Sequence, residues 1–143
     1  ALDVCDRVTP QSEYEAKFSL QHTAAAAITD GRIDFTSFDA AARQRLADMA
    51  ARVEIASEPP YAQRYPVAWG AEVAVHLDDG SEFSASREHA FGDPENPLDE
   101  SAMRAKAKML LEYGGVSAPD DFIDAILSLA DDAPLPDLPP MEH

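Results

Sequence analysis

The spacing of hydrophobic and polar positions changes several times along this chain, and each change marks an element. Pro10 punctuates the opening segment, and Ser12-x-x-Glu15 has the form of a capping box at a helix start. The pattern predicts a helix running from there to about Asp30, with Gly31 as its left-handed stop. On a helical wheel Leu20, Ala24, Ala27 and Ile28 share one apolar side, while Tyr14, Phe18 and Ala25 lie on another. Between the two runs a narrow polar stripe of Glu15, Ser19, His22 and Thr29. A helix apolar on two sides is packed on two sides. The stripe is therefore expected to face a cleft or a second domain rather than open water.

A second helix is expected from Thr36 or Ser37, with Phe38, Ala42, Leu46, Met49 and Val53 as its apolar stripe. Val53 and Ile55 alternate with Glu54, which predicts a short strand. Beyond the loop from Glu58-Pro59-Pro60 to Arg64-Tyr65-Pro66 the period becomes two. Val67, Trp69, Ala71, Val73, Val75 and Leu77 fall on one face, and Glu72 and His76 on the other. Asp78-Asp79-Gly80 is a hairpin turn, and the return strand runs from about Ser81 to Arg87. Gly92-Asp-Pro-Glu-Asn-Pro-Leu98 reads as a rigid loop before Asp99, which caps a third helix with Met103, Ala107 and Leu110 on its buried side. Gly114-Gly115 ends that helix. Pro119 starts a fourth, striped by Phe122, Ile126, Leu129 and Ala130. This order groups the strands together, which predicts an α+β fold: a small antiparallel sheet including a β-hairpin, covered by about four helices. One domain is expected over residues 1–130, followed by a Pro-rich extended tail over residues 131–143.

Composition narrows the function classes. A chain of 143 residues that is 45% apolar has enough material for one domain with a real core. Its 11 Lys and Arg stand against 27 Asp and Glu, a formal charge of −16. Such a surface repels phosphate backbones and anionic lipid, so neither nucleic acid nor a membrane is an expected partner. No apolar run is long enough to span a bilayer. Cys5 is the single cysteine and cannot form an internal disulfide, and the Ala1 end has no secretory pattern. A reducing, cytoplasmic location is expected. A start without Met, directly into patterned sequence, reads as a processed or excised domain.

Familiar catalytic signatures are missing: there is no Gly-rich phosphate loop, no Gly-x-Ser-x-Gly and no Cys-x-x-Cys. His22, His76, His89 and His143 are too scattered for local metal-ligand spacing, and no metal is expected. Asp78, Asp79, Asp93 and Asp99 read as turn and cap residues. Arg104, Lys106 and Lys108 form the one local basic concentration and read as a solvated helix face, with Lys106 nearer the apolar side. His22 stands out because it shares the polar stripe with Ser19, where a histidine can move a proton near neutral pH. The competing reading is a hydrogen-bonded histidine in a packing seam.

The segment Pro10-Gln-Ser-Glu-Tyr-Glu-Ala-Lys-Phe-Ser-Leu-Gln21, with its acidic helix start, Phe-Ser-Leu and an Ala-rich helix ending at glycine, resembles the MmgE/PrpD superfamily. The resemblance continues in order through Arg64-Tyr65-Pro66, the strand Ala71-Glu-Val-Ala-Val-His-Leu77, the Asp79-Gly80 turn and Gly92 to Leu98, covering roughly residues 1–115. It implies the smaller, C-terminal α+β domain of a longer enzyme. There it would close one side of a cleft whose acid and base residues come mostly from a preceding helical domain. The implied chemistry is proton abstraction beside a carboxylate of a small polycarboxylate substrate, followed by elimination, decarboxylation or epimerisation, with no cofactor. Ser19-Leu20-Gln21-His22 matches the family's cleft-facing helix, which marks Ser19, Gln21 and His22 as substrate-binding candidates. Gln21 rests on the resemblance alone. Some members carry an aromatic hydroxyl where this chain has His22. The isolated chain is then expected to be inactive and to self-associate through residues near Tyr14, Phe18 and Ala25, as a homo-oligomer. The alternative is a stand-alone acidic interaction module of the same fold.

Overall fold

A computed structural model of the protein describes residues 5–130 and 132–137. The first helix lying wholly within the described residues, α1 (Glu13–Lys17), forms half of the expected capping box: the Ser12 hydroxyl accepts from the Glu15 amide at 3.1 Å, while the Glu15 carboxylate accepts from the Gln11 amide at 2.7 Å in place of the Ser12 amide. The single helix expected from Ser12 to Asp30 is, however, two helices. Ser19 leaves helical geometry (φ −91°, ψ 111°), and its hydroxyl accepts from the His22 amide at 3.0 Å. Serine in that geometry is an N-cap, so it ends one helix and starts the next, α2 (Leu20–Asp30). The expected stop holds. Gly31 sits at φ 68°, which a side chain resists, and its amide bonds the Ala27 carbonyl at 3.0 Å.

Which face of α2 is buried also differs from the wheel. Gln21, His22, Ala25 and Ala26 are buried, whereas Leu20 and Ile28 remain exposed. Ala25 lies inside the protomer, so it is not available to the self-association surface expected near Tyr14 and Phe18. A 3₁₀ turn (Phe35–Phe38), capped by Asp34, leads into α3 (Ala40–Ala50), capped by Asp39, whose carboxylate accepts from the Ala42 amide at 2.7 Å. Ala25 and Ala26 of α2 meet Ala42, Leu46 and Ala50 of α3, with Met49 at the margin. Alanine on both sides lets the two helices approach closely, and Leu46 supplies the bulk. The strand expected at Val53–Ile55 has no ladder partner and lies in irregular chain. Its alternation survives only as half-buried Val53 and Ile55 around exposed Glu54. A short helix, α4 (Tyr61–Arg64), follows.

The chain divides into two compact units between Tyr65 and Pro66. In the second, β1 (Ala71–His76) pairs antiparallel with β2 (Glu82–Arg87), in a register that sets Val75 against Phe83 and Val73 against Ala85. The turn closes as its residues dictate. Gly80 takes φ 85°, its amide bonds the Leu77 carbonyl at 3.0 Å, and the Asp79 carboxylate accepts from both the Ser81 amide and hydroxyl. Ordered pairing starts later than the alternation that begins at Val67, and Val73, Leu77 and Phe83 stay exposed.

Two helices complete this unit. α5 (Glu100–Tyr113) is capped by Asp99, and α6 (Pro119–Leu127) has Pro119 in its first turn. They meet along a partly ionic seam, Arg104–Asp124 at 2.6 Å and Lys108–Asp120 at 2.5 Å. This seam overturns two expectations. Met103 and Leu110 are exposed, because the face turned to α6 carries Arg104, Ala107, Lys108 and Leu111. On α6 the buried positions are Pro119 and Ile123, while Ile126 is exposed. With six α-helices, one 3₁₀ helix and a two-stranded antiparallel sheet among the described residues, the fold is α+β. The tail expected over residues 131–143 lies largely outside the described residues. Its described part, 132–137, has no regular structure and leaves Leu135 exposed.

Candidate functional site

The candidates Ser19, Gln21 and His22 fall in the cap and first turn of α2, and all three are 1–2% exposed. Buried polar groups are retained only where partners satisfy them, and each of these has partners. The Ser19 hydroxyl donates to the Arg7 carbonyl at 2.6 Å while accepting from the His22 amide. The Gln21 side chain accepts from the Arg7 amide at 3.1 Å through Oε1 and donates to the Asp6 carboxylate through Nε2. Ser19 and Gln21 thus converge on one stretch of chain, residues 6 and 7, which lies ahead of α1.

His22 points elsewhere. Its Nε2 lies 2.7 Å from the Ser37 carbonyl oxygen. A carbonyl has no proton to give, so Nε2 is the donor and carries the hydrogen. The ring also meets Phe38, with centroids 6.0 Å apart and planes tilted by 46°. His22 therefore ties α2 to the 3₁₀ turn, whose own geometry is set when the Ser37 hydroxyl accepts from the Asp34 amide at 3.0 Å. Of the expected polar stripe, Ser19 and His22 are enclosed, whereas Thr29 is exposed and Glu15 half-buried. The structure brings the three candidates together on one helix turn and occupies them with partners, mostly backbone, from two different segments.

Beside the 3₁₀ turn lies an open polar pocket of 440 Å³ lined by Asp30, Arg32, Asp34, Thr36, Ser37 and Arg45. Arg45 grips Asp30 with two parallel bonds of 2.8 Å each, and Arg32 stands 3.3 Å from Asp34. The Arg45 bond is the largest cause holding the Asp30 carboxyl below its ordinary range, and the Thr36 hydroxyl does the same for Asp34. A depressed carboxyl stabilises the fold above its unfolded pKa, and that contribution disappears as pH falls through the folded value. Asp30→Asn should therefore be less stable than the parent chain at neutral pH, and the gap should close below about pH 4. Denaturation midpoints followed by circular dichroism at fixed ionic strength check this. A gap that persists unchanged into strong acid would remove the Asp30 charge from the account.

Sequence reasoning missed Arg7, Asp6 and Ser37. They lie 12–15 residues from their partners in the chain, and each contributes a backbone group or a charge that no local pattern marks. The nearest available signal was Ser19 itself, a favoured N-cap residue at the head of an Ala-rich run.

Residues 1–131 match the MmgE/PrpD C-terminal domain family. The chain belongs to that family. Among its relatives, the human cis-aconitate decarboxylase is 29% identical over 119 residues, which make up 79% of this chain and 24% of the enzyme. The mouse cis-aconitate decarboxylase is 27% identical over 103 residues, or 71% of this chain and 21% of the enzyme. The chain thus spans under a quarter of the length of these relatives. Family and relatives together make it a domain of a lyase family. Among the described residues no helix is long and apolar enough to cross a membrane.

Proposed function

We propose that this chain forms one wall of the active-site cleft in a longer, cofactor-independent lyase or isomerase that acts on a small polycarboxylate by dehydration, decarboxylation or epimerisation. The observation that carries the reading is the family match over residues 1–131, together with relatives named for decarboxylating a tricarboxylate. The first unit supports it in a particular way. Its polar groups at the start of α2 are spent on holding chain segments: Ser19 and Gln21 on residues 6 and 7, and His22 on Ser37. Groups so occupied suit a wall that must keep its shape, and Ser19, Gln21 and His22 set that shape from behind the cleft surface. The acid and base that move protons then come from the helical region of the longer enzyme. With a formal charge of −16 here, that region also supplies most of the positive charge that attracts substrate.

The test is turnover. The longer enzyme, assayed with cis-aconitate, citrate and 2-methylcitrate in the presence of a chelator, should convert at least one of them. The 143-residue chain alone should convert none. Turnover by the isolated chain would place the acid and base inside it and overturn the division of labour. An inactive longer protein would overturn the enzymatic reading in favour of an acidic interaction module.

A further inference from the structure

Two buried side chains grip the backbone of Arg7 at both ends. Gln21 accepts its amide hydrogen at 3.1 Å and Ser19 donates to its carbonyl at 2.6 Å, while Gln21 also holds the neighbouring Asp6. What this grip fixes is the root of one arginine whose side chain is half exposed. That side chain lines an open pocket of 210 Å³ with Tyr14, Glu15 and Phe18. The Tyr14 ring is steadied against Phe18, with centroids 5.0 Å apart, and the tyrosine is largely exposed.

The guanidinium of Arg7 is also less committed than four other cations of the chain. Arg45, Arg104, Lys17 and Lys108 stand 2.8, 2.6, 2.7 and 2.5 Å from carboxylate oxygens. Arg7 stands 3.8 Å from Glu15, beyond hydrogen-bond distance, and the other oxygen of Glu15 is taken by the Gln11 amide. A planar guanidinium on an anchored backbone loses little freedom when it binds a carboxylate through two parallel bonds.

We propose that Arg7 binds a carboxylate group of a small di- or tricarboxylate, with the Tyr14 hydroxyl as a second donor, and that Ser19 and Gln21 are positioning residues which fix its backbone. This deepens the functional reading above and rests on it for the ligand class. It also assigns Glu15 a sign: as the neighbouring anion it competes with the ligand, so removing its charge strengthens binding.

Citrate is the probe, titrated into the 143-residue chain while the Arg7 side-chain Nε–Hε resonance is followed, with sodium chloride at equal ionic strength as the control. A saturable shift with citrate and none with chloride is expected. Arg7→Ala should weaken citrate binding about tenfold to a hundredfold, the range for losing a charge-assisted hydrogen bond. Glu15→Gln retains the capping amide oxygen and should tighten binding. Ser19→Ala should weaken it with Arg7 still present, and Ser19→Thr, which restores the hydroxyl, should recover it. A purely structural serine would leave the citrate affinity of the folded fraction unchanged. Absence of a saturable shift, or citrate affinity unchanged in Arg7→Ala, overturns the proposal. In an active longer enzyme, Arg7→Ala should raise KM with a smaller effect on kcat, and an unchanged KM overturns it while leaving the polycarboxylate reading intact. A longer enzyme without turnover fails that reading instead, and the citrate titration still decides the role of Arg7.

Discussion

Replacing Leu46 with alanine should cost the first unit about 3–5 kcal/mol, the upper part of the range for large-to-small changes in a core. Leu46 is 1% exposed and is the one large side chain in a cluster whose other buried members are Ala25, Ala26, Ala42 and Ala50. The spread in such costs reflects how far neighbours collapse into the vacated space. Here they collapse poorly, because alanines have no rotamers to swing inward and their backbones already meet closely. Met49, half-buried at the margin, is the one flexible neighbour that can fill part of the gap. Amide hydrogen exchange along α2 and α3, read together with denaturant midpoints, measures the effect. Protection should fall in both helices together, since the cluster joins them. A loss of less than about 1 kcal/mol would mean that the alanine seam, and not Leu46, holds the pair. The opposite change, Ala26→Leu, should also destabilise the unit, by about 1–3 kcal/mol, by forcing the helices apart.

What could be read from the sequence was what neighbouring residues decide between themselves. The caps at Ser12 and Asp99 and the left-handed stop at Gly31 are chemistry confined to a few residues, and the sequence shows it. The Asp79-Gly80 turn belongs to the same class, and it sets the hairpin register. The Asp39 cap was missed, because the helix start expected at Thr36 or Ser37 falls in what is a separate 3₁₀ turn and puts Asp39 inside the helix. Ser19 was singled out for its polarity and its place in a stripe. Its more basic role, starting a new helix, was hidden because serine is tolerated inside helices as well as at their starts. The buried sides of α2 and α5 went astray for a shared reason. Sorting by polarity sends Gln21, Arg104 and Lys108 to solvent, yet buried Gln21 has partners on another segment that offset its desolvation, and half-exposed Arg104 and Lys108 pair with carboxylates of α6. Those partners are distant in the chain, so no periodicity shows them. Val53 and Ile55 fail in the converse way: their alternation is genuine, but a strand also needs a partner edge.

His22→Ala separates the two roles a histidine can have in such a place, and the structure sets the expected balance. The imidazole is enclosed, donates from Nε2 to the Ser37 carbonyl and packs on Phe38. Its removal leaves a buried carbonyl without a donor, at about 1–3 kcal/mol, and a ring-sized gap beside Phe38. The variant should lose about 2–4 kcal/mol in all, where an exposed helical histidine would cost about 0.5 kcal/mol or less. His22→Gln offers the carbonyl a side-chain amide donor in place of the ring, so it should recover part of the loss. His22→Phe fills the volume without a donor and should recover less. That ordering, Gln above Phe above Ala, assigns the larger share to the hydrogen bond. If Phe stands above Gln, ring packing dominates. In a longer enzyme the same variants report on catalysis. Loss of a proton donor that acts on substrate costs about 10²–10⁴ in rate even in fully folded protein. A histidine that ties α2 to the 3₁₀ turn instead lowers the melting temperature first and leaves turnover per folded molecule close to normal in His22→Gln. Measuring melting temperature and turnover on His22→Gln alone decides between them: a stable, folded variant that has lost a hundredfold or more in rate would make His22 a catalytic residue and not a structural tie.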